Sequence, residues 1–130
     1  MTRSTLSETE RRWLAAPPRA LARIATVDAN GLPHVVPGGW SFDPASSEMV
    51  LGGRDVPRSA RARHVRDSGT AAAVVDGLVP GSGFSPWAFM VRGRAHVDEA
   101  AGEIRIATDK VTSWGLDKEL ASREREDASR

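Results

Sequence analysis

The stretch LARIATVDANGLPHVVPGGWSFDP, residues 21–44, decides the architecture. From Leu21 the pattern has a period of two: Leu21, Arg23, Ala25 and Val27 alternate with Ala22, Ile24 and Thr26, as in a strand that turns its successive side chains to opposite faces. Asn30-Gly31 supplies a pair that tolerates positive φ, so the chain is expected to reverse there in a tight hairpin. The partner strand runs through His34, Val35 and Val36, breaks at Pro37-Gly38-Gly39 and resumes from Trp40 to Phe42. A proline and paired glycines inside a strand mark an edge or bulge where another group can approach the backbone.

Downstream of the hairpin, a turn at Asp43-Pro44-Ala45-Ser46 leads to a third strand, Glu48 to Gly52. Val56 to Arg66 then reads as a helix with Asp55 as N-cap and Pro57 in its first turn, closed by Ser68-Gly69. Thr70 to Asp76 (TAAAVVD) is a small and β-branched run suited to a strand buried on both faces. The glycine- and proline-rich Gly77 to Pro86 reads as a loop with room for an interaction surface, and Phe89 to Val97 and Glu103 to Thr108 as two further strands.

Upstream, Ser7 and Glu10 have the spacing of a capping box, and Pro17-Pro18 stop the short helix that begins there. The sum is a mainly β chain: a six-stranded antiparallel barrel over residues 20–116 with peripheral helices. Residues 1–19 form an N-terminal helix and linker. Residues 117–130 carry five acidic and four basic side chains and read as a solvated or frayed tail.

Composition narrows the function. At 130 residues, with 40% apolar and 27% charged side chains, the chain suits one globular domain. No apolar run approaches the roughly 18 residues that cross a bilayer, and the polar start lacks a secretory pattern, so a cytoplasmic location without a membrane partner is expected. The absence of cysteine removes disulfides and thiolate chemistry, and the absence of tyrosine removes a phenolic acid. A net charge of +1 offers little general attraction to nucleic acid. Sixteen of the 18 basic residues are arginine, so only arginine positions carry information.

On a helix that includes residue 54, Arg54, Arg58 and Arg61 fall at i, i+4 and i+7 on one side. Stacked guanidinium groups repel unless an anion lies among them, and a helix N-terminus adds free N–H groups, so a phosphate or carboxylate is the natural partner, with Ser59 a further donor. A solvated arginine face is the competing reading; Arg63 and Arg66 lie on another face. His34, His64 and His96 are too far apart for a local metal motif, and no nucleophile elbow, GxGxxG or P-loop occurs. Trp40, Trp87 and Trp114 lie near glycine or proline breaks, where an indole can flank a flat ring or simply pack in the core.

Taken together, residues 21–44, LGGRDVPRSARARHVRDSGTAAAVVD (51–76), VRGRAHV (91–97) and IRIATDKVTSWGL (104–116) resemble, in order and spacing, the pyridoxamine 5′-phosphate oxidase-like split-barrel superfamily, and within it the deazaflavin-dependent oxidoreductase branch. The resemblance implies a homodimer with the cofactor in the cleft between subunits. It implies a ring over the Val36, Pro37, Gly38 and Trp40 backbone, a phosphate held by Arg54, Arg58, Ser59 and Arg61, and Trp114 closing the cofactor cleft, while Trp87 stands as a cofactor-binding candidate by its position at a proline break. Arg61 stands where the family commonly has lysine, which keeps the charge and changes the geometry. The tail after Leu116 lacks the basic, tryptophan-containing segment of true pyridoxamine phosphate oxidases, and Ser113-Trp114-Gly115 looks like the deazaflavin branch.

The activity implied is hydride transfer from reduced coenzyme F420 to a small organic acceptor, with no obligatory side-chain acid. FMN on the same fold and a non-catalytic cofactor-binding protein are the alternatives. Nucleic-acid binding ranks last, because the basic segment has no interleaved aromatics.

Overall fold

The computed structural model describes residues 2–129. Its elements are α1 (Glu8–Ala15), β1 (Ala22–Val27), β2 (Pro33–Gly38), β3 (Trp40–Asp43), β4 (Glu48–Leu51), α2 (Ala60–Ser68), β5 (Thr70–Leu78), β6 (Pro86–Asp98), β7 (Glu103–Ala107), β8 (Lys110–Trp114) and α3 (Leu116–Ala128). Every strand pairing is antiparallel, in the order β2-β1-β5-β6-β7-β4-β3, with β8 added to β6. The two ends of that order, β2 and β3, are separated in sequence only by Gly39. The sheet therefore curls until its edges meet at one residue, a barrel split where the sequence breaks.

Among the described residues, eight strands replace the expected six. Gly39 cuts the second strand into β2 and β3, and Lys110–Trp114 forms β8 against the first half of β6. The hairpin between β1 and β2 also differs from a two-residue turn. Val27 pairs with Pro33, and the Asp28 carboxylate accepts from the Asn30 and Leu32 N–H groups, so a side chain organises a five-residue loop.

β6 joins the two halves of the barrel, pairing β5 and β8 through its first nine residues and β7 from Ala95 onward. Gly93 sits at the change of partner, where a Cβ would lie 2.3 Å from the Ala107 carbonyl oxygen.

Inside, Trp13, Phe89, Ile24, Leu51, Ile104 and Ile106 are among the fully buried side chains. β5 departs from the reading of two buried faces: Ala71, Ala73 and Val75 are buried, while Ala72 and Val74 are only half-buried. The chain covers one side of this sheet fully and the other only in part.

The residues after Leu116 are the clearest correction. They form the 13-residue helix α3 rather than a frayed tail. Its buried Glu119 accepts from the Trp13 indole N–H at 2.8 Å and from Arg123 Nε at 2.7 Å, while Leu116 and Leu120 enter the core. A buried indole N–H needs an acceptor, and Glu119 supplies it.

α1 shows the capping box that its sequence spells: Glu10 N–H donates to Ser7 Oγ at 3.1 Å and Ser7 N–H to Glu10 Oε1 at 2.7 Å. Glu10 is fully buried and also receives Arg3 and Ser113 Oγ. Burial pushes its carboxyl up, but the hydrogen bonds from Arg3, Ser113 and Ser7 outweigh it and hold the group below its ordinary 4.5. A lowered folded-state value favours the folded chain above the unfolded value, and that advantage is lost as pH falls through the folded one. Thermal melts of the wild type should therefore lose stability on acidification below about pH 4.5. Glu10→Gln should start less stable and show a flatter acid limb; parallel limbs would rule out Glu10 as the source.

Candidate functional site

The candidate ring-binding strand is an open edge. Every β2 residue from Pro33 to Pro37 is exposed, and β2 pairs on one side only, which is where prolines are tolerated in a sheet. A side chain at Gly38 would press on the core, since a Cβ would lie 2.9 Å from the Ile24 methyl carbon Cδ1. Trp40 is half-buried. It stacks on Trp13 at 5.8 Å with an interplanar angle of 15°, and its indole N–H donates to the Ala20 carbonyl at 2.9 Å.

The arginine segment folds differently from one continuous helix. Asp55 takes a left-handed conformation (φ 55°) and caps nothing; Val56–Arg58 form a 3-10 turn. α2 starts only after Ser59, whose Oγ accepts from Ala62 N–H at 3.2 Å. Arg54 and Arg58 therefore precede α2, and the expected row of three guanidinium groups on one helix face does not exist. The Val56 side chain is the cause: it is fully buried, and the tight turn carries it inward. Ser59 also gives its hydroxyl proton to Val56 O at 2.6 Å, so it is not available as a donor to an anion.

What remains is Arg61. It is half-buried, with Nη2 3.5 Å from Gly52 O, too long for a strong bond. Its Nε is buried and unpaired. Gly53, at φ 144°, lies under it, and a Cβ there would reach within 3.3 Å of Nη2. Arg58 makes only a loose contact with Asp55 at 3.9 Å, and no partner is found for Arg54 or Arg63 among the described residues. Arg66 is used structurally, held by Glu99 at 2.9 Å. A buried guanidinium N–H without a partner, beside a glycine cradle and the N-terminus of a nine-residue helix, fits a phosphate.

A contact absent from the sequence reading brings β2 and α2 together. His34, on β2, lies over His64, on α2, with ring centroids 4.5 Å apart. His64 Nδ1 is 2.8 Å from Thr26 Oγ1, and His34 Nε2 is 2.8 Å from Asp28 Oδ2. The helix that carries Arg61 is thereby held against the strand that carries Val36. No spacing rule links residues 34 and 64, so only the folded chain could show it.

The other two indoles part company. Trp87 is buried, 5.6 Å from Trp13, and belongs to the core instead of flanking a cofactor. Trp114 is 47% exposed on β8. Val36 and Pro37 stand on the open edge of β2.

The fold defines a class: it is an antiparallel split barrel, similar to those of solved flavin-binding proteins. Its solved counterparts include an FAD-binding protein from Mesorhizobium loti, with TM-score 0.60, 16% identity and coverage of 87% of this chain and 95% of that one. The FAD-binding protein from Mycobacterium smegmatis gives TM-score 0.55, 21% identity and coverage of 87% and 94%. In sequence, the chain is 29% identical over 110 residues to the 5a,11a-dehydrotetracycline/5a,11a-dehydrooxytetracycline reductase of Streptomyces rimosus, covering 77% of this chain and 78% of the relative. No protein-family model matches the chain.

Proposed function

We propose that this chain is a flavin- or deazaflavin-dependent oxidoreductase that acts as a homodimer, transferring a hydride from reduced coenzyme F420 to a small organic acceptor. The observation that carries the reading is the buried, unpaired Arg61 Nε beside Gly53 and the α2 N-terminus. Similarity to a reductase supports the reaction class. The cofactor, when bound, supplies the hydride; the chain binds, orients and dries the site. Arg61 and the first N–H groups of α2 would hold the phosphate, with the exposed charges of Arg54 and Arg58 adding longer-range attraction. The open edge of β2 at Val36, Pro37 and Gly38 would take the ring, and Trp40 would wall it.

A second subunit would cover the partly exposed side of the sheet. The register sets Val35, Ala25 and Ala72 in one row and Val74 and Met90 in the next. These side chains, with Arg23 beside Val74, line a largely apolar hollow, and Val35 is 68% exposed. Exposed apolar side chains of this kind suit an interface. Val35→Glu should convert a dimer to a monomer in light scattering, with the melting point of the monomer little changed. A monomeric wild type would remove the shared-cleft arrangement.

The cofactor is tested by titrating the protein separately with coenzyme F420 and FMN. The expected result is tight F420 binding and turnover with it. FAD binding by the two fold relatives favours the second reading, an FMN-type flavin, and tight FMN binding without an F420 response would establish it in place of the first.

A further inference from the structure

We propose that the groove between the linker 17–21 and the strand break at Gly39 is the acceptor site, and that it takes a planar small molecule carrying a negative charge. The assignment rests on the oxidoreductase reading above. Pro17, Pro18, Arg19, Leu21, Gly39 and Trp40 line one continuous groove. Its floor includes Gly39, the single residue between β2 and β3, so the groove opens directly beside the strand proposed to carry the ring.

The linker is a built wall rather than a loose connection. Trp40 Nε1 holds Ala20 O at 2.9 Å, which ties the linker to the start of β3. Pro17 and Pro18 restrict the backbone before it and offer no N–H of their own. Three features then specify the ligand. The half-buried indole of Trp40 stacks on Trp13 and lines the groove, and an indole wall suits a flat, unsaturated ring.

Leu21 adds an apolar side that is 60% exposed. Arg19 is the one charged residue of the lining, and among the described residues it has no carboxylate partner. A lone guanidinium at an apolar, aromatic groove selects a planar anion such as an enolate, a phenolate or an aromatic carboxylate. In this position Arg19 also confers specificity: it attracts a charged acceptor and leaves an uncharged one of the same shape without its main polar contact.

The test compares 2-hydroxy-1,4-naphthoquinone, ionised at neutral pH, with the uncharged 1,4-naphthoquinone. Binding is followed by quenching of tryptophan fluorescence in the full-length protein, with and without saturating cofactor. The wild type should prefer the anion by about tenfold, a typical worth for one partly exposed charge contact. Arg19→Ala should abolish the preference, Arg19→Lys should keep most of it, and all three proteins should bind the cofactor equally. A preference unchanged in Arg19→Ala, or absent from the wild type, overturns the assignment. Failure of both F420 and FMN to bind would overturn the oxidoreductase reading instead, and the cofactor-free titration would still decide the groove.

Discussion

Replacing Arg61 with alanine is expected to weaken cofactor binding roughly a hundredfold, the usual worth of a charge-assisted hydrogen bond to a phosphate. The protein should nevertheless stay folded, with a melting temperature unchanged or slightly raised. The reason lies in the present state of the side chain. Its Nε is buried without a partner, and its one hydrogen bond among the described residues, to Gly52 O, is 3.5 Å long. Such a donor has given up water and received nothing in return, so its removal relieves a cost in the empty protein and loses a benefit only when the phosphate is present.

Arg61→Lys should fall between the two, because an ammonium keeps the charge and loses the planar fork. Cofactor titration and thermal melts on the same three proteins separate this role from a structural one. A structural arginine would lower the melting temperature on truncation; a phosphate ligand would lower affinity alone. Arg58→Ala, at a solvated position outside α2, should have the smaller effect of the two arginine truncations.

The second large effect is on the fold. Gly93→Ala should cost about 3 kcal/mol, at the upper end for overpacking, and lower the melting temperature by roughly 10 °C. A Cβ at residue 93 would meet the Ala107 carbonyl oxygen at 2.3 Å and Asp109 Oδ2 at 2.9 Å. The first neighbour is backbone and cannot rotate away. The second is already engaged, since Asp109 binds the Arg94 guanidinium and the Arg94 N–H, which together hold its carboxyl down at about 2.

Gly93 also lies where β6 passes from one half of the barrel to the other, so a shift there disturbs the pairing with β5 and β7 together. Chemical denaturation should report a lower midpoint. A melting temperature within a degree or two of wild type would mean that the β6–β7 crossing relaxes without cost.

Much of this architecture is legible one segment at a time because the forces involved are local. The α1 capping box needs only Ser7 and Glu10, three residues apart. The end of α2 needs only Gly69, which adopts the left-handed cap (φ 70°) that a residue with a side chain resists. The split in the barrel is written in Pro37-Gly38-Gly39. The start of α2 is different. Asp55 and Ser59 are both good caps by type, and only the burial of Val56 in a core assembled from distant strands chooses Ser59.

The same holds for the charged segment after Leu116. Its composition suits solvent, and it becomes a docked helix because Glu119 meets an indole more than a hundred residues earlier in the chain.

The candidate site divides along the same line. The sequence by itself determined that an arginine-rich segment with small residues follows a β hairpin, and that the hairpin breaks at Pro37-Gly38-Gly39. Residue type and near-neighbour spacing are enough for that, since they govern backbone conformation within a few residues. Only the tertiary structure decided which arginine is held in the cradle, that Ser59 spends its hydroxyl on the backbone, that Trp87 is core, and that the 17–21 linker faces Gly39. Those outcomes depend on burial, and burial is a property of segments that meet from far apart in the chain.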